Sequence, residues 1–373
     1  MKRRANGEGA VYQRKDGRWE GRVSLGDGGR QSVFGKTQRE VIDKIRALPR
    51  GPESGLPLPK GHALVGEYLA GWLESSRPRV RPRTWIRYEQ LARVHAGAIA
   101  KLPLAKLGPQ HLDRLYAARL EAGAAPMTVR HLHALLHKAI GQAEKWGLVA
   151  RNVVTLVSPP RAPHHEMTTL SEEQTRAFLD VTAGERFEAL YVLAVTTGMR
   201  QGEILALRWR DVDLDHPSAQ IQQSIQFLAG SRYVFTPPKT VKSRRKVELT
   251  KAAIVALRRH RTRQLEERFA AVGGWEELDL VFANEVGRPT TADRLRWNFQ
   301  RTLVRANLPR IRFHDLRHTA ATLLLGRGVH PKIVSEMLGH STTAITLDLY
   351  SHVTPTMQRE AAAIFDSVLG GAR

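Results

Sequence analysis

Two proline-rich breaks constrain what this chain can fold into before any element is assigned. Arg50-Gly51-Pro52-Glu53-Ser54-Gly55-Leu56-Pro57-Leu58-Pro59-Lys60-Gly61 and Ser158-Pro159-Pro160-Arg161-Ala162-Pro163 concentrate residues that lack a backbone donor or resist regular dihedrals, so neither a helix nor a central strand continues through them. They divide the 373 residues into segments 1–50, 62–160 and 166–373, with 51–61 as a linker. The expectation is a multidomain protein, since segments of this size form separate cores.

Charge narrows the class of partner. The chain carries 58 Lys and Arg against 36 Asp and Glu, a formal net charge of +22. The excess is spread along the chain: net +7 over 1–50, +8 over 62–160 and +6 over 166–373. Each segment is therefore a candidate to touch a polyanion, with an affinity that falls steeply with salt. The absence of cysteine excludes disulfides and thiolate metal sites. No apolar run approaches the roughly 18 residues of a membrane helix. The charged N-terminus Met1-Lys2-Arg3-Arg4 has no apolar stretch behind it, so a signal peptide is not expected. A cytoplasmic protein working on nucleic acid, with no membrane partner, fits.

Segment 1–50 reads as a small three-stranded sheet plus one helix. Runs at 10–12, 19–25 and 31–34 are separated by Asp16-Gly17 and Asp27-Gly28-Gly29, which suit hairpin turns. A helix is expected from Thr37, with Glu40 completing a capping box and Val41, Ile42, Ile45 and Leu48 on one face. Strand residues Tyr12, Arg14, Trp19, Arg22 and Arg30 are candidates to lie in a DNA groove. The competing assignment places Trp19 and Tyr12 in the core and the arginines on a solvated face.

Segment 62–160 is patterned as all-α. Leu64, Val65, Tyr68, Leu69, Trp72 and Leu73 form one amphipathic face, and a second helix is expected from Thr84, after Arg77-Pro78-Arg79-Val80-Arg81-Pro82-Arg83. Arg79, Arg81, Arg83, Thr84 and Arg87 are the candidates for phosphate contact. A later helix carries His131, His133 and His137. The i, i+4 pair within it has no accompanying Glu or Cys, so no metal is assigned and exposed or DNA-facing histidines are favoured.

Segment 166–373 is expected to be mixed but mainly helical, an α+β domain. Ser171-Glu172-Glu173-Gln174 caps a helix, another passes through 190–195, a small sheet spans about 219–249, and helices resume, with Pro331 in the first turn of one of them. On the helix carrying His314, the residues Leu316, Ala320, Leu323 and Leu324 make the buried stripe and leave His314 and Arg317 to line a pocket. Ala361, Ile364, Phe365 and Val368 continue at helical spacing after Tyr350.

This segment also holds the chemistry. His314-Asp315-Leu316-Arg317-His318, Leu338-Gly339-His340 and Leu347-Asp348-Leu349-Tyr350-Ser351-His352 collect imidazoles, a guanidinium and a phenol at spacings that let short helices bring them together. Thr197-Gly198-Met199-Arg200-Gln201-Gly202-Glu203 adds a second guanidinium and a carboxylate at a Gly-broken helix junction. Two guanidiniums can each present a planar fork of donors to one phosphate, which is what cutting a phosphodiester without metal or water requires. The phenol of Tyr350 is the candidate nucleophile and needs a cationic field or base nearby. A leaving 5′ oxygen needs an acid, and the hairpin-like stretch Thr236-Pro237-Pro238-Lys239-Thr240-Val241-Lys242 offers either Lys239 or Lys242.

These motifs resemble the tyrosine recombinases, in the branch of phage and integrative-element integrases. The family signature, Thr-Gly-Met-Arg-x-Gly-Glu, Pro-Lys-Thr, His-x-x-Arg, Gly-His and a tyrosine, falls on Arg200, Glu203 as supporting residue, Lys239, His314, Arg317, His340 and Tyr350. The resemblance implies an arm-type DNA-binding domain at 1–50, a helical core-binding domain at 62–160 and a catalytic domain at 166–373. It also implies attack by Tyr350 to give a 3′-phosphotyrosyl link, with His314 as base or hydrogen-bond partner, His340 as donor to the phosphate, and Lys239 as acid with Lys242 close enough to compete. Further implications are double-stranded DNA attachment sites, a homotetramer on DNA, an accessory DNA-bending or directionality protein, no cofactor, and work at the bacterial nucleoid. The energy of the broken bond is kept, consistent with the absence of a phosphate-binding Gly-x-x-x-x-Gly-Lys-Ser/Thr loop. A type IB topoisomerase-like relaxase and a catalytically silent DNA-binding regulator are the competing functions. In the family the C-terminal tail packs on a neighbouring protomer; the sequence equally allows it to fold back on its own domain.

Overall fold

The computed structural model describes residues 10–14, 16–24, 30–47, 63–163, 167–228, 232–238, 244–340, 342–343, 346–347, 365–367 and 369. The chain forms two compact units, Met1–His164 and His165–Arg373.

The first unit opens with strands β1 (Ala10–Gln13), β2 (Trp19–Ser24) and β3 (Arg30–Gly35), paired antiparallel in that order, followed by helix α1 (Gln38–Ala47). Thr37 caps α1 by accepting from the Glu40 N–H at 3.2 Å, and Glu40 reaches back to the Lys36 N–H at 2.9 Å. Register decides the two faces of the sheet. Gly35 lies opposite Trp19, and a Cβ on Gly35 would press on Val41 of α1, so this row faces the helix. Glu20, opposite both Tyr12 and Phe34, belongs to the other face, as does Arg22 two residues on. Trp19 therefore sits on the helix side, on the opposite face of the sheet from Arg14 and Arg22.

Four helices follow: α2 (Val65–Ser76), α3 (Pro82–His95), α4 (Pro109–Glu121) and α5 (Pro126–Lys145). Val65, Leu69, Trp72 and Leu73 of α2 are buried as their spacing requires. Helix α3 begins at Pro82, two residues before the expected Thr84, because proline at the first helical position lacks only a donor that would be unpaired anyway. Val129, Leu132, Leu135, Leu136, Ala139, Ile140 and Ala143 of α5 supply the central apolar stripe.

The second unit runs α6 (Glu172–Thr182), α7 (Glu188–Thr197), α8 (Gln201–Ile204), β4 (Val212–Asp213), β5 (Ser218–Ile221), β6 (Ser224–Phe227), β7 (Tyr233–Thr236), β8 (Arg245–Glu248), α9 (Lys251–Ala270), α10 (Ala292–Arg305), α11 (Asp315–Gly326) and α12 (Pro331–Leu338). Ser171 caps α6 through the Gln174 N–H, as its capping box predicts. Nearly every residue of α7 is buried, which makes it the central helix. Around it Phe178, Tyr191, Phe299 and Phe313 pack with ring centroids 5.1 to 6.4 Å apart. The single sheet expected over about 219–249 is two: β4-β5-β8, and a separate β6-β7 hairpin. Strand β5 pairs with β8 across the intervening hairpin, so β6 and β7 pair only with each other.

The buried stripe of α11 also differs from expectation. Leu316, Ala320, Ala321 and Leu325 are buried with Arg317 and Thr319, whereas Leu323 and Leu324 are only partly covered. The rotation comes from Thr319 and Arg317, whose polar groups find partners inside: Thr319 Oγ1 accepts from the Leu170 N–H at 3.1 Å.

His260 of α9 makes the core pH-sensitive. Its Nε2–H donates to the Val281 carbonyl at 2.7 Å, Nδ1 has no partner, and burial pushes the imidazole down to about 4. A neutral folded form against an unfolded value of 6.5 stabilises the fold fully above pH 6.5, and this stabilisation is lost as pH falls toward 4. The loss across that window is expected to be about 3 kcal/mol. Urea melts at intervals between pH 7 and pH 4 measure it, and His260→Gln should flatten the slope. Among the described residues no helix is long and apolar enough to cross a membrane.

Candidate active site

Four chain segments converge on Glu203. Helix α7 stops at Gly198, whose backbone is left-handed at φ 59° and where any Cβ would run into Leu338 of α12. Two residues later Arg200 caps α8. Its N–H donates to Glu203 Oε2 at 3.0 Å and its Nη1 to Glu203 Oε1 at 2.7 Å. Arg245, the first residue of β8, donates from Nη2 to Glu203 Oε2 at 3.0 Å and from Nε to the Met337 carbonyl at 2.6 Å. Helix α12 ends at Gly339, also left-handed at φ 67°, and the Gly339 carbonyl accepts from Arg200 Nη2 at 2.7 Å.

Arg317 reaches the cluster from α11. Its side chain is buried, with the residue 3 % exposed. Nη1 donates to the Gly198 carbonyl at 2.6 Å, while Nη2 has no partner. A buried guanidinium nitrogen left without an acceptor is costly and calls for an anion. Burial first, then the Arg200 and Arg245 guanidiniums, pull Arg317 down to about 9, so it is still cationic at pH 7. Burial alone would push the Glu203 carboxyl up, but Arg245 and Arg200 hold it below its ordinary value. Two guanidiniums thus hold one carboxylate and a third lies near enough to feel it, leaving two net positive charges in a partly desolvated site.

The histidines are neutral members of this site. Burial, followed by Arg317 and Arg200, pushes His340 down to about 4, and its Nδ1 lies 2.8 Å from Thr346 Oγ1. When Nδ1 accepts from that hydroxyl, Nε2 carries the hydrogen and can donate elsewhere. His314 is the N-cap residue of α11 and is exposed. Partial desolvation, then His318 and Arg317, lower its pKa, and its ring meets that of His318 edge-on at 5.2 Å. His314 and Arg317 therefore do not present one shared exposed face. His314 precedes the helix, and Arg317 points into the protein.

The structure brings together Arg200, Glu203, Arg317 and His340, with His314 near enough to feel Arg317. Lys239, Lys242 and Tyr350 lie outside the described residues, as do Ala361, Ile364 and Val368. Phe365 is described and is exposed. Arg245, His318 and Thr346 are members of the site that the sequence reading did not assign. A signal existed for Arg245, which shares its strand face with buried Val247 and Leu249.

The expected DNA-contact residues fall on two surfaces of the first unit. On the outer face of the sheet, Arg14 and Arg22 both pair with buried Glu20, at 3.7 and 2.9 Å, and stack over Phe34 and Tyr12. Arg30 lies at the start of β3. In the helical part Arg79, Arg83 and Arg87 are exposed, Arg81 is the N-cap of α3, and Thr84 is partly buried in its first turn. Arg79 Nε donates to the Ser75 carbonyl at 3.2 Å. Arg87 meets His131 of α5, Tyr116 O–H lies 3.1 Å from His133 Nδ1, and the His133 and His137 rings stack at 6.3 Å. Among the described residues no group of three or more His, Cys, Asp or Glu could hold a metal.

Similarity to known proteins makes this an enzyme of the tyrosine-type site-specific recombinase class. The Phage integrase family profile matches residues 168–357, and that of the Phage integrase, N-terminal SAM-like domain matches residues 64–118. The chain is 31% identical over 352 residues to the "Tyrosine recombinase XerC-like" protein of Caldanaerobacter subterraneus subsp. tengcongensis, covering 89% of this chain and 90% of that one. The chain belongs to the phage integrase family. Its fold is similar to that of the Tn1549 transposon integrase in complex with a circular intermediate DNA, with a TM-score of 0.69 at 21% identity over 81% of this chain and 99% of that one. It is also similar to that of lambda integrase in a tetramer bound to a Holliday junction, with a TM-score of 0.58 at 16% identity over 93% of this chain and 96% of that one.

Proposed function

We propose that this integrase cleaves and rejoins double-stranded DNA at the attachment sites of a mobile element, through a 3′-phosphotyrosyl intermediate on Tyr350. In this reading the Tyr350 hydroxyl loses its proton and its oxygen bonds to phosphorus. The bond from phosphorus to the 5′ oxygen breaks, and that oxygen takes a proton from Lys239 or Lys242. The freed 5′ hydroxyl of a partner strand later reverses these steps. Arg200 and Arg317 hold the non-bridging oxygens, His340 donates from Nε2, and His314 acts as base or hydrogen-bond partner.

One observation carries this reading: the unpartnered, buried Nη2 of Arg317 beside an Arg200 that remains about a third exposed. Both guanidiniums are anchored by backbone carbonyls, at Gly198 and Gly339, so their orientation is set before an anion arrives. Preorganised donors of this kind stabilise charge that develops in a transition state.

Residues 1–50 serve as the arm-type domain in this proposal, 62–160 as the core-binding domain and 166–373 as the catalytic domain, joined by linker 51–61. Arg14 and Arg22 contact DNA in the first, and Arg79, Arg81, Arg83, Thr84 and Arg87 contact phosphates in the second. A tetramer on two duplexes is proposed by analogy with the lambda integrase assembly, with an accessory DNA-bending or directionality protein, inside a bacterial cell.

The test is incubation of the protein with nicked duplexes drawn from DNA flanking its own gene, where diffusion of the nicked fragment traps the intermediate. An adduct that resists denaturing detergent is expected. Relaxation of supercoils without strand exchange would instead favour the topoisomerase-like function, and no adduct on any substrate the protein footprints would favour the silent regulator. Adduct formation is expected to persist unchanged in EDTA, because guanidiniums and imidazoles supply the charge stabilisation; loss in EDTA with recovery on adding magnesium would refute this.

A further inference from the structure

We infer that Arg245 is a positioning residue of the recombination site, setting the charge and orientation that Arg200 presents to the phosphate. The inference rests on the proposed phosphate-binding role of Arg200 and Arg317. Arg245 touches neither guanidinium as a hydrogen-bond partner; it acts through Glu203 and through α12.

The geometry links three parts of the site through one side chain. Arg245 is 7 % exposed at its side chain and donates to Glu203 Oε2, the same oxygen that accepts the Arg200 N–H. The other oxygen, Glu203 Oε1, accepts Arg200 Nη1 at 2.7 Å and, at a longer 3.4 Å, Arg245 Nη1. Without Arg245, the buried carboxylate would have Arg200 as its main cation and would draw that guanidinium toward itself, away from a second anion. Arg245 divides the demand, so Arg200 can hold Glu203 and still offer N–H groups to a phosphate.

The second link is to α12. Arg245 Nε donates to the Met337 carbonyl in its last turn, and a Cβ on Gly339 would lie 2.8 Å from Arg245 Nη1. A flat guanidinium thus packs beneath the left-handed turn that carries the Gly339 carbonyl to Arg200 and His340 into the site. Arg245 also begins β8, which follows the stretch bearing Lys239 and Lys242, so one residue ties that strand to Arg200 and His340. A lysine would keep the charge but lacks the fork needed for Glu203 and Met337 together.

The test compares Arg245→Met and Arg245→Lys with the unsubstituted protein on nicked duplexes, one with an ordinary scissile phosphate and one with a methylphosphonate there, which has no negative charge. DNA binding and thermal midpoint are measured alongside. Arg245→Met is expected to slow adduct formation about 100-fold on the phosphate but no more than about tenfold on the methylphosphonate, since a neutral centre asks less of Arg200. Arg245→Lys should fall between, and DNA affinity should stay within about threefold. Equal losses on both substrates, or no loss on either, would overturn the inference while leaving the recombinase reading intact. Absence of any adduct from the unsubstituted protein would instead sink that reading and this inference with it. If Arg245→Met does not fold, the same ratio measured on Arg245→Lys decides.

Discussion

Tyr350→Phe is expected to leave DNA binding intact and to abolish covalent attachment to DNA altogether. The substitution keeps the ring and removes only the oxygen that would become esterified. A free phenol is ionised in only about one molecule in a thousand at pH 7, so an attacking tyrosine needs a cationic surrounding. In the proposed mechanism that surrounding comes from the cluster of Arg200, Arg245 and Arg317, whose cations lie close enough to lower the pKa of Arg317. Of the chain's seven tyrosines, Tyr191, Tyr233 and Tyr350 belong to the second unit. Tyr191 is 1 % exposed and burial pushes its phenol up. Burial and the Glu276 carboxylate also raise Tyr233, whose hydroxyl donates to Glu276 at 3.2 Å. Neither is placed to act as nucleophile, so a detergent-resistant adduct from Tyr350→Phe on a nicked duplex would refute the assignment.

Arg317→Lys should carry the second-largest effect, a loss of about 100- to 1,000-fold in adduct formation, or about 3–4 kcal/mol of transition-state stabilisation. Arg317 has one nitrogen on the Gly198 carbonyl and another without a partner. An ammonium can satisfy the carbonyl or an incoming phosphate oxygen, but it cannot present a flat pair of donors to both. The interaction is strongest in the transition state, so the loss should appear in the single-turnover cleavage rate while DNA affinity changes little. A variant that cleaved at the normal rate would show that Arg317 serves only to hold the α7 and α11 helices together.

Much of the local structure was legible in the residues themselves. The three hairpin strands, the Ser171 cap and the helix started by Pro331 appear where turn and cap chemistry puts them, because such signals act over three or four residues. Element faces were less legible. Trp19 has the amphipathic character of either sheet face, and only the position of α1 assigns it to the covered side. Leu323 and Leu324 look like better core residues than Arg317 and Thr319, but specific hydrogen-bond partners inside the protein outweigh apolarity for those two polar groups.

The site divides in the same way. By itself the chain's sequence determined which chemical groups are available and in what order: two guanidiniums in family-like motifs, a Gly-His, a candidate acid on a hairpin and a phenol near the end. Only the tertiary structure decided that Arg245 joins them. It meets Glu203 across 42 residues, as Arg317 meets the Gly198 carbonyl across 119 and Arg200 the Gly339 carbonyl across 139. Local spacing specifies periodicity along one element, whereas contacts at such separations depend on where α7, α11, α12 and β8 pack. In that packing a buried carboxylate and three backbone carbonyls accept from three guanidiniums, and the buried Nη2 of Arg317 is left without a partner.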